Sequence, residues 1–150
     1  MNTTELELCL NKVANLTTAT IHAGVFANNK LPRRASKRTF IIVNDDPSYK
    51  NGSHWCALYV DENGLGYFFD SFGQPPRKNH VRFLKENCRY WNYNAKQLQD
   101  QSSTLCGNYC VLFLLNFALG HCVDDFMKMF TSDTSLNDVI CEEIFQMYFS

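Results

Sequence analysis

Cys106 stands where a polar, turn-forming run (98–105) gives way to an almost unbroken apolar stretch from Tyr109 to Leu119, closed by Gly120. Such a stretch predicts a buried helix with a cysteine in its first turn and Gly120 just past its end. A helix N-terminus carries roughly half a positive charge, so a thiol there loses its proton more readily, and the thiolate is the nucleophile. Gly107 has no side chain to obstruct a carbonyl approaching that sulfur. A buried helical cysteine alone is usually a core residue, so partner side chains decide whether it does chemistry.

His54 and Asp70 are the candidate partners. Gly52-Ser53-His54-Trp55 opens an alternating segment to Val60 that predicts a strand, residues 61–66 form a turn cluster with an Asn63-Gly64 pair, and Tyr67 to Asp70 predicts the returning strand. A base for the thiol proton and a carboxylate to orient that base complete the set used by thiol hydrolases. Directly opposed residues of an antiparallel pair share a face, so Asp70 can orient His54 only from opposite an even-numbered residue of that strand. A two-residue Asn63-Gly64 turn would set Asp70 opposite Ala57, on the wrong face. A three-residue loop with a glycine bulge sets it opposite Cys56, on the His54 face and about 7 Å along the strand. We therefore expect a bulged hairpin, at Gly64 or Gly66.

Four motifs, in this order and spacing, resemble the adenovirus-type cysteine endopeptidases and their relatives in virus-like large DNA transposons. They are Gly52 to Trp55, Tyr67-Phe68-Phe69-Asp70-Ser71-Phe72-Gly73-Gln74-Pro75, Gln99 seven residues before Cys106, and Cys106-Gly107-Asn108-Tyr109-Cys110. Gly24-Val25-Phe26, Leu31-Pro32 and the run from Phe40 to Pro47 extend the likeness, which covers about residues 20 to 120. SUMO-deconjugating proteases are similar at the same positions but carry an Asp before the cysteine. This chain has Leu105 there, which favours the viral branch.

The resemblance implies Cys106 as nucleophile, His54 as general base, Asp70 as third member, and Gln99 as the amide that, with the Cys106 N–H, forms an oxyanion hole. One such donor is worth about 3 kcal/mol. Gln101 is the rival by proximity, and spacing favours Gln99. The expected fold is α+β and papain-like, a mostly antiparallel central sheet packed on the buried helix that starts at Cys106. The expected function is peptide-bond hydrolysis through a thioester, in maturation of viral or virus-like precursor proteins, near Gly-Gly sequences. Gly52, Ser53, Trp55 and Gly107 are the expected cleft residues. An isopeptidase acting on ubiquitin or a ubiquitin-like modifier is the nearest alternative, and an inactive binding module of the same fold is another.

The chemistry requires no cofactor. Cys88 stands eleven residues before Gln99, the offset at which similar adenoviral enzymes join an activating viral peptide by a disulfide. The segment 89–96 is unlike theirs, and a plain apolar-face cysteine is favoured. Adenoviral relatives also use DNA as a cofactor. Here the basic run of Lys30, Arg33, Arg34, Lys37 and Arg38 reads first as a solvated loop, offset by six acids after His121, so nucleic acid is not favoured as a partner.

These side chains need a scaffold. With 150 residues, 45% of them apolar, the chain has material for one cored domain, 1–150. A net charge of −1 supplies no field toward nucleic acid or membrane. Seven cysteines in no regular framework, with no secretory signal pattern, point to a reduced intracellular compartment, and the resemblance implies the host nucleus or cytoplasm and the virion rather than secretion. We expect a monomer acting on a protein or peptide substrate. Residues 3–16 predict an amphipathic helix with hydroxyl caps and Leu6, Leu10, Val13 and Leu16 inward, and residues 40–43 a central strand. Residues 44–53 predict a loop walling the cleft, and 77–89 a helix with His80 on its polar side. Ser135 to Asp138 reads as a capping box for a last helix with Leu136, Ile140, Ile144 and Met147 inward. Cys106, Cys110, His121 and Cys122 lack zinc-ligand spacing, so no metal site is expected.

Overall fold

A computed structural model describes residues 1–19, 21–35, 38–45 and 54–150. One mixed sheet runs in the order β1 (Ile21–Phe26), β2 (Arg38–Asn44), β3 (Trp55–Val60), β4 (Leu65–Phe69), β5 (Tyr90–Tyr93). Its inner pairings, β2 with β3 and β3 with β4, are antiparallel, while β1–β2 and β4–β5 at the edges are parallel. Strand β5 lies in the 89–96 segment, where four residues are too short a run to show an alternation.

β2 is apolar throughout its centre because both of its faces are covered. On one face Phe40 and Ile42, with Ala57, Tyr59 and Phe69, meet α3 (Cys106–Ala118), joined by α1 (Thr3–Ala14), α4 (Val123–Met127) and α5 (Thr134–Phe149). On the other, Ile41, Val43, Cys56, Leu58 and Phe68 meet Phe83 and Leu84 of α2 (Lys78–Asn87).

α3 is buried at every position from Tyr109 to Phe117, so burial alone cannot fix its rotation. Stacked rings do. Phe113 lies on Phe69 with centroids 4.5 Å apart, and Phe117 on Tyr59 at 3.8 Å. Each pair adds about 1 kcal/mol beyond its burial. Together they bolt β3 and β4, which end at the His54 and Asp70 positions, to the helix that begins with Cys106. Gly120, at φ +86°, ends α3 as expected; its N–H bonds the Phe117 carbonyl and that of His121 the Asn116 carbonyl, both at 3.0 Å.

Two peripheral expectations are corrected. The cap of α1 is Asn2, whose side chain accepts the Glu5 N–H at 2.9 Å, and the helix ends at Ala14, so Leu6, Leu10 and Val13 are buried while Leu16 is exposed. α5 starts earlier, capped by Asp133, and buries Asn137 and Cys141, leaving Leu136 and Met147 exposed. Asn137 turns inward because the backbone needs it: it donates to the carbonyls of Leu98 and Thr131 and accepts the Thr131 N–H. No helix among the described residues is long and apolar enough to cross a membrane.

Candidate active site

The Asp61 N–H bonds the Leu65 carbonyl at 2.9 Å and closes the three-residue loop Glu62-Asn63-Gly64, with Gly64 at φ +80°. The β3–β4 register then pairs Val60 with Gly66 and Ala57 with Phe69, which carries Asp70 to the place opposite Cys56. The bulge expected at Gly64 is present, and Asp70 shares the face of His54. At the same end, the Asp45 N–H bonds the His54 carbonyl at 2.8 Å and extends the β2–β3 ladder one step past the Asn44–Trp55 pair. His54 is therefore anchored through its backbone at the mouth of the sheet.

His54 Nε2 lies 2.7 Å from Asp70 Oδ1. The same oxygen accepts the Phe72 N–H at 2.8 Å, and the Phe72 ring sits 4.9 Å from the imidazole. This leaves Nδ1 for the Cys106 sulfur, and the two groups shift one another, the ring upward and the thiol downward. The backbone N–H groups of Trp55 and Gly107 also act to lower the thiol. One turn along α3, the buried Cys110 thiol donates to the Trp55 carbonyl at 3.3 Å. Cys110 thus ties α3 to the backbone at the start of β3.

Burial pushes the Cys106 thiol up, but the His54 hydrogen bond, the Trp55 N–H, the His54 charge and the Gly107 N–H outweigh it and hold the thiol below its ordinary 9.0. For His54, burial favours the neutral ring, yet hydrogen bonds and charges from Asp70 and Cys106 raise it to about 10. Both shifts favour an imidazolium–thiolate pair, which titrates as a unit. Alkylation of Cys106 by iodoacetamide should therefore rise with pH through a midpoint below 9.0. Peptide turnover should fall again as His54 deprotonates near about 10. A single alkylation limb at the ordinary thiol value would show that the pair does not form.

No family model matches the chain. It is 30% identical over 115 residues to a protein of Acanthamoeba polyphaga mimivirus named as a thiol protease, covering 69% of this chain and 37% of that one. It is 28% identical over 99 residues to the protease of Porcine adenovirus A serotype 3, covering 55% of this chain and 48% of that one. The chain is related to the adenovirus-type cysteine proteases. It spans less than half the length of either relative. Among solved structures, the ASFV protease matches 81% of this chain and 58% of its own at a TM-score of 0.58 and 15% identity. The SUMO protease Ulp1 matches 100% of this chain and 79% of its own at 0.54 and 14%. These likenesses show a shared fold.

Gln99 is fully buried beside the loop that leads to Cys106. Its Oε1 accepts the Ser71 hydroxyl at 2.6 Å, and its Nε2 donates to the Ser103 carbonyl at 2.9 Å and hydroxyl at 3.3 Å. Gln101 is exposed. A residue that no motif marks is Asn94. It is 5% exposed; its Oδ1 accepts the Asp70 N–H at 3.2 Å and its Nδ2 donates to the Asp70 carbonyl at 2.9 Å. This amide replaces the next rung of the β4–β5 ladder after Phe68–Tyr93 and fixes the Asp70 backbone. Asn94→Ala should destabilise the fold by about 1–3 kcal/mol, the cost of orphaned buried groups. It should also move the alkylation midpoint of Cys106 up toward 9.0, a readout that a purely structural role would leave unchanged.

The other expected site residues fall elsewhere. Gly52 and Ser53 lie outside the described residues. Trp55 is half-buried and its Nε1 donates to the Met1 carbonyl at 3.1 Å. The space that Gly107 leaves is taken by Leu6 and Met1, 3.2 and 3.4 Å from where a Cβ would stand, and is not an open floor for substrate. Cys88 caps the end of α2 with its sulfur against Gly66, four residues along β4 from Asp70, or about 13 Å. Burial, foremost, pushes that half-buried thiol up to about 11, the reverse of an activated cysteine. His80 is buried against Phe68 rather than exposed, and burial, with the Arg77 charge, lowers it to about 4. In the basic run, Arg38 is turned inward onto the Phe117 carbonyl at 3.0 Å.

Proposed function

We propose that this chain carries the machinery of a cysteine endopeptidase, and the observation that carries it is His54 held between Asp70 and a depressed Cys106 thiol. The thiolate attacks the scissile carbonyl, and the Cys106 N–H with the Gln99 amide stabilises the oxyanion. His54 gives its Nδ1 proton to the leaving amine, forming the thioester, and then takes a proton from the water that hydrolyses it. Asp70 keeps the ring in the orientation and charge state for both transfers.

The names of the viral relatives support precursor proteins of a virus or virus-like element as substrates, in the host cell and virion. One solved structure of the neighbouring Ulp1 protease domain holds Smt3, the yeast ortholog of SUMO, and matches 97% of this chain at a TM-score of 0.54. That observation favours a second reading, removal of a ubiquitin-like modifier. An activating peptide joined at Cys88 would first need that thiol freed from Gly66, so we take the chain to act without one, as a monomer. Incubating the chain with Gly-Gly precursor peptides and with modifier conjugates, with and without thiol peptide and DNA, separates these readings. Cleavage of peptides by the chain alone supports the endopeptidase, cleavage of conjugates alone the isopeptidase, and cleavage of neither overturns both.

A further inference from the structure

We propose that His54, Cys56 and Asp70 form a binding site for a thiophilic divalent cation, zinc above all, whose occupation silences His54. Among the described residues these are the metal-ligating side chains whose donor atoms converge, all within 4.8 Å of one another. The strand register produces the cluster: His54 and Cys56 are two residues apart on one face, and the β3–β4 pairing sets Asp70 across from Cys56. Cys106 lies outside the group.

Zinc takes sulfur at about 2.3 Å and nitrogen or oxygen at about 2.0 Å, so at a tetrahedral angle a sulfur ligand stands about 3.5 Å from a nitrogen or oxygen ligand, and two nitrogen or oxygen ligands about 3.3 Å from one another. From donor atoms within 4.8 Å of one another, Cys56 then needs to close by up to about 1.3 Å, within reach of a side-chain rotamer change, while the 2.7 Å gap between His54 and Asp70 opens by about 0.6 Å to admit the ion. The charges also match. A Cys56 thiolate and the Asp70 carboxylate neutralise a divalent ion, which a site with Cys56 fully buried and Asp70 at 5% exposure requires. Binding releases two protons to solvent, one from the Cys56 thiol and one from His54 Nε2, while the Nδ1 proton stays. Burial, foremost, and the Asp70 charge keep the empty-site Cys56 protonated, and a cation at the same place reverses the second effect. The His54 side chain, 13% exposed, gives access and leaves the fourth position to water.

A ring with Nε2 on a cation holds its Nδ1 proton too tightly to give it to a leaving amine, so turnover stops with Cys106 intact. Binding itself does not depend on the protease reading and is measured without turnover. Cobalt(II) serves as the spectroscopic stand-in for zinc. Titrating it anaerobically into the full chain should raise a near-ultraviolet thiolate-to-cobalt absorption that Zn²⁺ displaces. The background is Cys122→Ser, which removes an exposed thiol beside Asp125. The band should survive Cys106→Ala, vanish in Cys56→Ala, and need at least tenfold more cobalt in Asp70→Asn. A band that survives Cys56→Ala, or none in the parent, overturns the site. Should Cys56→Ala fail to fold, the Cys106→Ala chain decides alone, because a band lost there means that the nucleophile is the ligand.

Discussion

Cys106→Ala and His54→Ala should each lower kcat/KM on a cleaved peptide by about 10⁴-fold or more, and the double variant should be no worse than either single one. The reason is that neither residue works alone. Without the imidazolium, only the Trp55 and Gly107 N–H groups are left to oppose the burial that pushes the Cys106 thiol up, and without the sulfur the ring has no nucleophile to serve. Asp70→Asn should cost far less, since an amide oxygen in the place of Oδ1 can still accept from Nε2 at 2.7 Å and from the Phe72 N–H. Progress curves at protein concentrations set by absorbance give all four rates, and titration of the parent chain with a peptide vinyl sulfone gives its active fraction. The same reagent, mapped by peptide mass, should label Cys106 alone among the seven cysteines. Losses that add in the double variant, or label on another cysteine, would place the chemistry elsewhere.

The pairing of His54 with Asp70 was legible because a strand has a period of two. Parity leaves one bit undecided, and the requirement that a carboxylate face the histidine fixes that bit as a bulge. Gly64 at φ +80° supplies it. α3 was legible for a different reason: an apolar run of that length between a turn and a glycine has few homes other than a buried helix. What failed was the choice of a face where both faces carry apolar residues. In α5 the outcome turns on Asn137, whose amide satisfies the Leu98 and Thr131 carbonyls, and a hydrophobic pattern ranks that asparagine as solvent-facing. His80 fails in the same way. It enters the core because its Nδ1 accepts the Arg77 N–H at 3.1 Å and closes the first turn of α2, a backbone need that composition does not display. Asn94 belongs to this class too. Buried polar side chains that stand in for absent backbone partners are set by the fold around them, and no local period announces them.

Gln99→Ala should reduce kcat by about 30- to 150-fold, less than the 10²–10³ that a preformed oxyanion donor gives. The difference comes from Ser103. Gln99 has no accessible surface, and an oxygen of a bound carbonyl is about as large as a water, so in the resting arrangement no substrate atom can touch Nε2. The 100–105 loop must yield first, exchanging the 2.9 Å bond to the Ser103 carbonyl for one to the oxyanion. Breaking that bond costs about 1 kcal/mol against the 3 to 4 that the new one contributes, leaving about 2 to 3. Ser71, whose hydroxyl holds Oε1 at 2.6 Å, keeps the amide pointed at the loop while the exchange occurs. Alkylation by iodoacetamide builds no oxyanion, so its rate in Gln99→Ala should stay within about twofold of the parent while peptide turnover falls. A matched loss in both reactions would mean that Gln99 only props the Cys106 loop, and no loss in either would hand the oxyanion to Gln101 or to the backbone alone.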